Sequence, residues 1–129
     1  MKSANLKFIN LCNHGLVDYS LVVIMWLSPD KFNLQASRGI VYIFSFMYLL
    51  LLVFTNYPLG FFPKISFSIH RILELISGIG FIILPFFADF YSIFADTVYC
   101  LILGSVFILL GLLTYTNGNG NISNPPAEK

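Results

Sequence analysis

The chain contains two histidines, and each stands at the head of the same pattern. His14 is followed by Asp18 and, after a run of mostly apolar residues, by Pro29. His70 is followed by Glu74 and, after a second such run, by Pro85. The three landmarks recur at an interval of 56 residues. A histidine and a carboxylate four residues apart lie on one face of a helix. The pattern therefore predicts an apolar helix that opens on an ionisable stripe and stops near a proline, used twice. Asn10 and Ser66 hold the same place in the two copies and extend each stripe by a turn. The stretches that follow align at an interval of 59 residues, so that Ala36 meets Ala95 and Thr55 meets Thr114. The chain reads as a tandem repeat of helix, proline-containing loop and helix, with repeat one at 8–57 and repeat two at 64–116.

Composition decides the medium. Hydrophobic residues make up 57% of the 129 residues and charged residues 10%, against roughly 25% charged in a soluble domain. The expectation is one all-α, polytopic membrane domain at 1–117 with four transmembrane helices, followed by a disordered polar tail at 118–129. Each repeat holds two spans, so both enter the membrane from the same side. The two helical hairpins should then be related by a pseudo-two-fold axis along the membrane normal rather than by an inverted repeat. A net charge of +1 with no basic stripe excludes nucleic acid as a partner. Two cysteines make no disulfide framework, and Cys12 and Cys100 fall near opposite faces, so no bridge between them is expected.

Breaker residues set the expected boundaries. Met1–Lys7 with the run after it has the outline of a signal peptide, but Asn13, His14 and Asp18 interrupt that run and favour a retained helix, about Phe8 to Leu27. Ser28-Pro29-Asp30 should end it, with Trp26 at headgroup level. The second helix should run from about Arg38, N-capped by Ser37, to Phe54. Thr55–Lys64, with two prolines and a glycine, reads as an interfacial loop lying on the bilayer. The third helix is expected from about Ser66 to Phe87, with small residues at Ser77, Gly78 and Gly80. The fourth is expected from about Thr97, N-capped by Asp96, to Tyr115. Gly104 and Gly111 lie seven residues apart, nearly on one face, and would let a neighbouring helix approach closely. Lys2, Lys7, Lys64, Arg71 and Lys129 on one side, against Lys31 and Arg38 on the other, place both termini in the cytoplasm by the positive-inside rule. Arg71 is expected to reach for anionic headgroups, and Asp89 to lie in a solvated outer loop.

Trp26-Leu27-Ser28-Pro29, with an acidic residue eleven positions before the proline, resembles the SPW-repeat family of small prokaryotic membrane proteins. The second copy keeps only Pro85, and Asp30 stands where that pattern prefers Trp. The resemblance implies a four-helix fold in a prokaryotic inner membrane and carries no activity with it.

His14, Asp18, His70 and Glu74 are the candidate functional residues, because ionisable groups inside a span are costly. They allow four roles, of which one is to shuttle protons. Each pair could hydrogen-bond and hold helices together, the commonest fate of such residues. The four could instead ligate a divalent metal, or His14 and His70 a haem. No phosphate loop, nucleophile elbow or Cys-x-x-Cys is present, so the sequence leans away from an enzyme. It favours a structural or accessory subunit, with no cofactor required, that associates with the lipid bilayer and with other membrane proteins or its own copies. A metal- or haem-binding redox protein and a minimal oligomeric transporter or channel are the alternatives.

Overall fold

The computed structural model describes residues 11–114. The expected first-helix start at Phe8, Asn10, the basic residues at Lys2, Lys7 and Lys129, and the polar tail lie outside the described residues, as does the side chain of Cys12. Within them the chain is all-α: four helices and no strand, with only an isolated bridge between Thr55 and Ile65. α1 spans Leu11–Lys31, α2 Arg38–Phe54, α3 Phe67–Phe87 and α4 Phe94–Leu113. Two of these, α3 and α4, are long and apolar enough to cross a membrane.

The prolines do not stop their helices where the sequence suggests. α1 runs through Pro29 to Lys31, and α3 runs through Pro85 to Phe87. A proline loses its own N–H bond and crowds the carbonyl four residues before it, but the residues after it keep their N–H groups and can extend the helix. The stop comes four residues further on, at Asn33 (φ 52°) and Asp89 (φ 56°), both in the left-handed region. The next amide then turns back onto the proline carbonyl: Leu34 N–H to Pro29 O at 2.8 Å, Phe90 N–H to Pro85 O at 2.9 Å. These are the long-range bonds of a Schellman end, and Leu34 and Phe90 are buried beneath them. Asp89 is thus a helix terminator.

α4 begins three residues earlier than expected, at Phe94, with Ile93 at the cap position. Asp96 therefore lies in the first turn of α4 and caps a different helix. Its carboxylate accepts from the Ser37 amide (2.7 Å), the Ser37 hydroxyl (2.6 Å) and the Gln35 amide (3.2 Å) at the start of α2. Ser37 does precede α2, but its side chain serves Asp96 and makes no cap bond of its own. Those three donors hold the Asp96 carboxylate at full burial without an ion pair.

Backbones approach closely within each hairpin, α1 against α2 and α3 against α4. The tightest crossing is glycine on glycine. A Cβ on Gly104 would sit 2.6 Å from the Gly78 carbonyl oxygen, and one on Gly78 would sit 2.7 Å from that of Gly104. Gly111 receives the Leu75 side chain in the same way, at 2.9 Å. Gly80 meets nothing. Between hairpins the contact passes through side chains: Met25, Val41, Phe81 and Phe107 belong to one core cluster. Trp26 is about half exposed.

The segment after α2 is tied to the end of that helix. Phe61 and Phe62 amides return to the Val53 carbonyl, and Lys64 and Ile65 amides to that of Phe54, so the loop folds over the end of α2. Tyr57 is carried inward and is 4% exposed.

Gly104→Ala should lower the thermal midpoint, with overpacking of about 1–3 kcal/mol. Gly80→Ala should leave it unchanged or raise it, by up to about 1 kcal/mol of helix propensity. Detergent-phase melting of the two variants beside wild type reads the difference.

Candidate metal centre

The first turns of α1 and α3 and the last turns of α2 and α4 meet at one end of the bundle. His14 and Asp18 face inward from α1, and His70 and Glu74 from α3; all four are fully buried. Their interval of four residues lays each pair along one helix face, and the two faces meet. His14 Nε2 lies 3.1 Å from Asp18 Oδ2 and 3.2 Å from Glu74 Oε1. His70 Nε2 lies 3.3 Å from each of the same two oxygens. Nitrogens and oxygens alternate around the centre, all within 4.8 Å of one another.

These contacts are short, yet none has hydrogen-bond geometry. His14 Nε2, His70 Nε2, both oxygens of Asp18 and Glu74 Oε2 are buried with no hydrogen-bond partner in the protein. Buried polar atoms are almost always partnered, and leaving one bare costs about 1–3 kcal/mol. Three of these bare atoms, His14 Nε2, Asp18 Oδ2 and His70 Nε2, converge with Glu74 Oε1 on one point and describe a ligand set that could hold a metal ion. The four nitrogen–oxygen separations are 3.1–3.3 Å and no two of the atoms are more than 4.8 Å apart, so the four surround a space of the size of one small ion. A haem held by His14 and His70 does not fit, because the Asp18 and Glu74 oxygens stand between the imidazoles where the porphyrin plane would lie.

The outer nitrogens are engaged. His14 Nδ1 meets the Thr114 hydroxyl at 2.5 Å and His70 Nδ1 the Thr55 hydroxyl at 3.0 Å. Thr55 caps the end of α2 and Thr114 the end of α4, so each histidine is steadied by the hairpin it does not belong to. Tyr48 of α2 donates to Glu74 Oε1 at 2.8 Å. Phe107 holds the corresponding place in α4, 59 residues later, and is fully buried without a hydroxyl to offer. The two carboxylates are thus unequal: Glu74 has a phenol donor and Asp18 has none.

An aromatic roof closes the outer side. Phe67 stacks on His70 (5.6 Å, 14°) and meets His14 edge-on (5.2 Å, 83°); Tyr57 lies 6.0 Å from the His70 ring. Tyr57 rests against Gly15, where any side chain would collide with its ring. Burial pushes the Tyr57 phenol well above the ordinary tyrosine range, so it stays a neutral O–H.

The sequence identified all four central residues. It aligned Thr55 with Thr114 on the 59-residue register without giving them a task, and it gave none to Tyr48 or Tyr57. Ser66 does not join the site: its hydroxyl accepts from the Ile69 amide and caps α3. Arg71 reaches the Gly111 carbonyl, at 3.0 and 2.7 Å, where the last turn of α4 favours a cation. Cys100 is a free, buried thiol. No family model matches the chain, and neither any curated protein nor any solved structure is similar to it.

Tyr48→Phe should destabilise the protein by about 1–3 kcal/mol, the cost of stripping a buried carboxylate of its donor. Phe107→Leu, a change of packing alone, provides the comparison. An equal or smaller loss in Tyr48→Phe than in Phe107→Leu would contradict the assignment.

Proposed function

We propose that the chain is a four-span membrane protein that holds one divalent transition-metal ion between its two hairpins, through His14, Asp18, His70 and Glu74. The observation that carries the reading is the convergence of four buried side chains of which His14 Nε2, Asp18 Oδ2 and His70 Nε2 have no hydrogen-bond partner. Had the two stripes served only to pair helices, the ring nitrogens would donate squarely to the carboxylates. In the bundle core, facing helices supply the ligands of many metal proteins in this manner.

The membrane reading draws its support from the outer surface. Large apolar side chains stand exposed on every helix: Val23 and Ile24, Ile43 and Phe46, Ile76 and Ile79, Ile102 and Leu109. Water does not tolerate so continuous an apolar flank, whereas lipid covers it without cost. α1, at 21 residues, measures about 31 Å and matches a hydrocarbon core of about 30 Å. α2, at 17 residues, is at the short end of the spanning range. Asp18 lowers the hydropathy of α1 but points to the centre. A pseudo-two-fold axis along the membrane normal, cytoplasmic termini, an inner-membrane location and kinship with SPW-repeat proteins belong to the same proposal.

The closed site favours a structural ion over a catalytic one. All four ligand side chains are buried under Tyr57 and Phe67, and structural sites fill their coordination with protein ligands while catalytic ones keep a position open. A metal-clamped helical core of this size suits an accessory subunit that other membrane proteins, or further copies, pack against.

Elemental analysis of the detergent-purified protein should find one zinc-, manganese- or iron-class ion per chain, absent from a His14→Ala, His70→Ala double variant. Chelation should lower the thermal midpoint of wild type by several degrees and leave the variant's unchanged. A metal-free wild type that takes up no added ion overturns the reading.

A further inference from the structure

Thr55 and Thr114 share a second contact that bears on what the histidines can do. The Thr55 hydroxyl lies 2.6 Å from the Leu51 carbonyl oxygen, and the Thr114 hydroxyl 2.7 Å from that of Leu110. Two oxygens that close need a proton between them, and a carbonyl has none to give. Each threonine has therefore spent its one O–H on the carbonyl four residues back. Toward its histidine it can only accept. At His14 and at His70 the proton of the contact must then sit on Nδ1.

We infer that Thr55 and Thr114 are positioning residues that fix both imidazoles as the Nδ1–H tautomer and so present two Nε2 lone pairs to the centre. The inference rests on the metal reading for its purpose and on the threonine geometry for its substance. Hydrogen bonding at one ring nitrogen decides which tautomer the other exposes. The arrangement is reciprocal, α4 setting the histidine of α1 and α2 that of α3, so neither hairpin is a complete site alone.

The tautomer also narrows the ligand. Two neutral imidazoles and two carboxylates carry two negative charges, which one divalent ion cancels within an apolar interior that penalises any remainder. Imidazole nitrogen suits Zn, Cu, Fe and Ni, whereas Mg and Ca seek oxygen and Mg keeps water. The class of ligand is a borderline divalent transition ion, bound without water.

The test uses the whole chain in detergent, with Co²⁺ as an absorbing probe and Zn²⁺ as competitor. Thr55→Val with Thr114→Val should weaken Co²⁺ binding by about 10–100-fold, the usual effect of losing a partner behind a metal-bound histidine. Thr55→Ser with Thr114→Ser, which restores the hydroxyl, should recover it. Mg²⁺ in large excess should not displace cobalt. Nitrogen-15 spectra of the histidines in zinc-loaded wild type should show Nδ1 protonated and Nε2 on the metal. Equal affinity in the valine variant, or a metal on Nδ1, overturns the inference. Should the valine variant not fold, the wild-type spectra decide alone. Should wild type bind neither metal, the metal reading falls; the spectra of the metal-free protein at alkaline pH then judge the tautomer separately, Nδ1–H upholding the lock and Nε2–H ending it.

Discussion

Four ionisable side chains buried at one point are the constraint on which the rest of this structure depends. A lone buried charge costs several kcal/mol, so each group must find the others, and their positions leave few ways to do so. His14 and Asp18 share one face of α1, His70 and Glu74 one face of α3, and the two faces must meet at equal depth. That requirement aligns the hairpins end to end and brings the C-termini of α2 and α4 alongside the imidazoles. It also explains the local chemistry there: a threonine at each helix end, a glycine at position 15 where Tyr57 must lie flat, and a loop folded inward as a roof.

The far end of the bundle is held by different means. Asp96 gathers the amides at the start of α2, and the Ser28 hydroxyl meets that of Tyr99 at 2.5 Å. These contacts are satisfied within the protein and ask for no ligand. The contrast sharpens the meaning of the other end, where the unsatisfied atoms collect. Near-equivalence of the hairpins also has limits with a chemical consequence. Tyr48 reaches Glu74, while Phe107 in the corresponding place can offer Asp18 nothing. One carboxylate is shared with a phenol and the other is kept for the centre.

Much of the helix layout was legible in the order of residues. α2 is bounded as its breakers suggest, and α3 almost so. The prolines misled because a proline marks the neighbourhood of an ending and not the ending itself; Asn33 and Asp89, able to take a positive φ, do the stopping. Asp96 misled because a carboxylate beside a helix start can cap any helix end within reach, and the one within reach belongs to α2. The bond from Arg71 to the Gly111 carbonyl was likewise revealed by no local pattern.

The sequence by itself determined that the helices are largely apolar, and that two of them carry the same ionisable stripe. It determined also that His14, Asp18, His70 and Glu74 are the residues to watch. Composition and periodicity suffice for those statements, since they depend on neighbours within a turn or two of the same helix. Only the tertiary structure decided that the two stripes face each other, that a porphyrin has no room between them, and that Thr55 and Thr114 address the histidines of the opposite hairpin. Those facts depend on the distance between side chains 15 to 100 residues apart, which is set by how the hairpins pack and is written in no single stretch of chain.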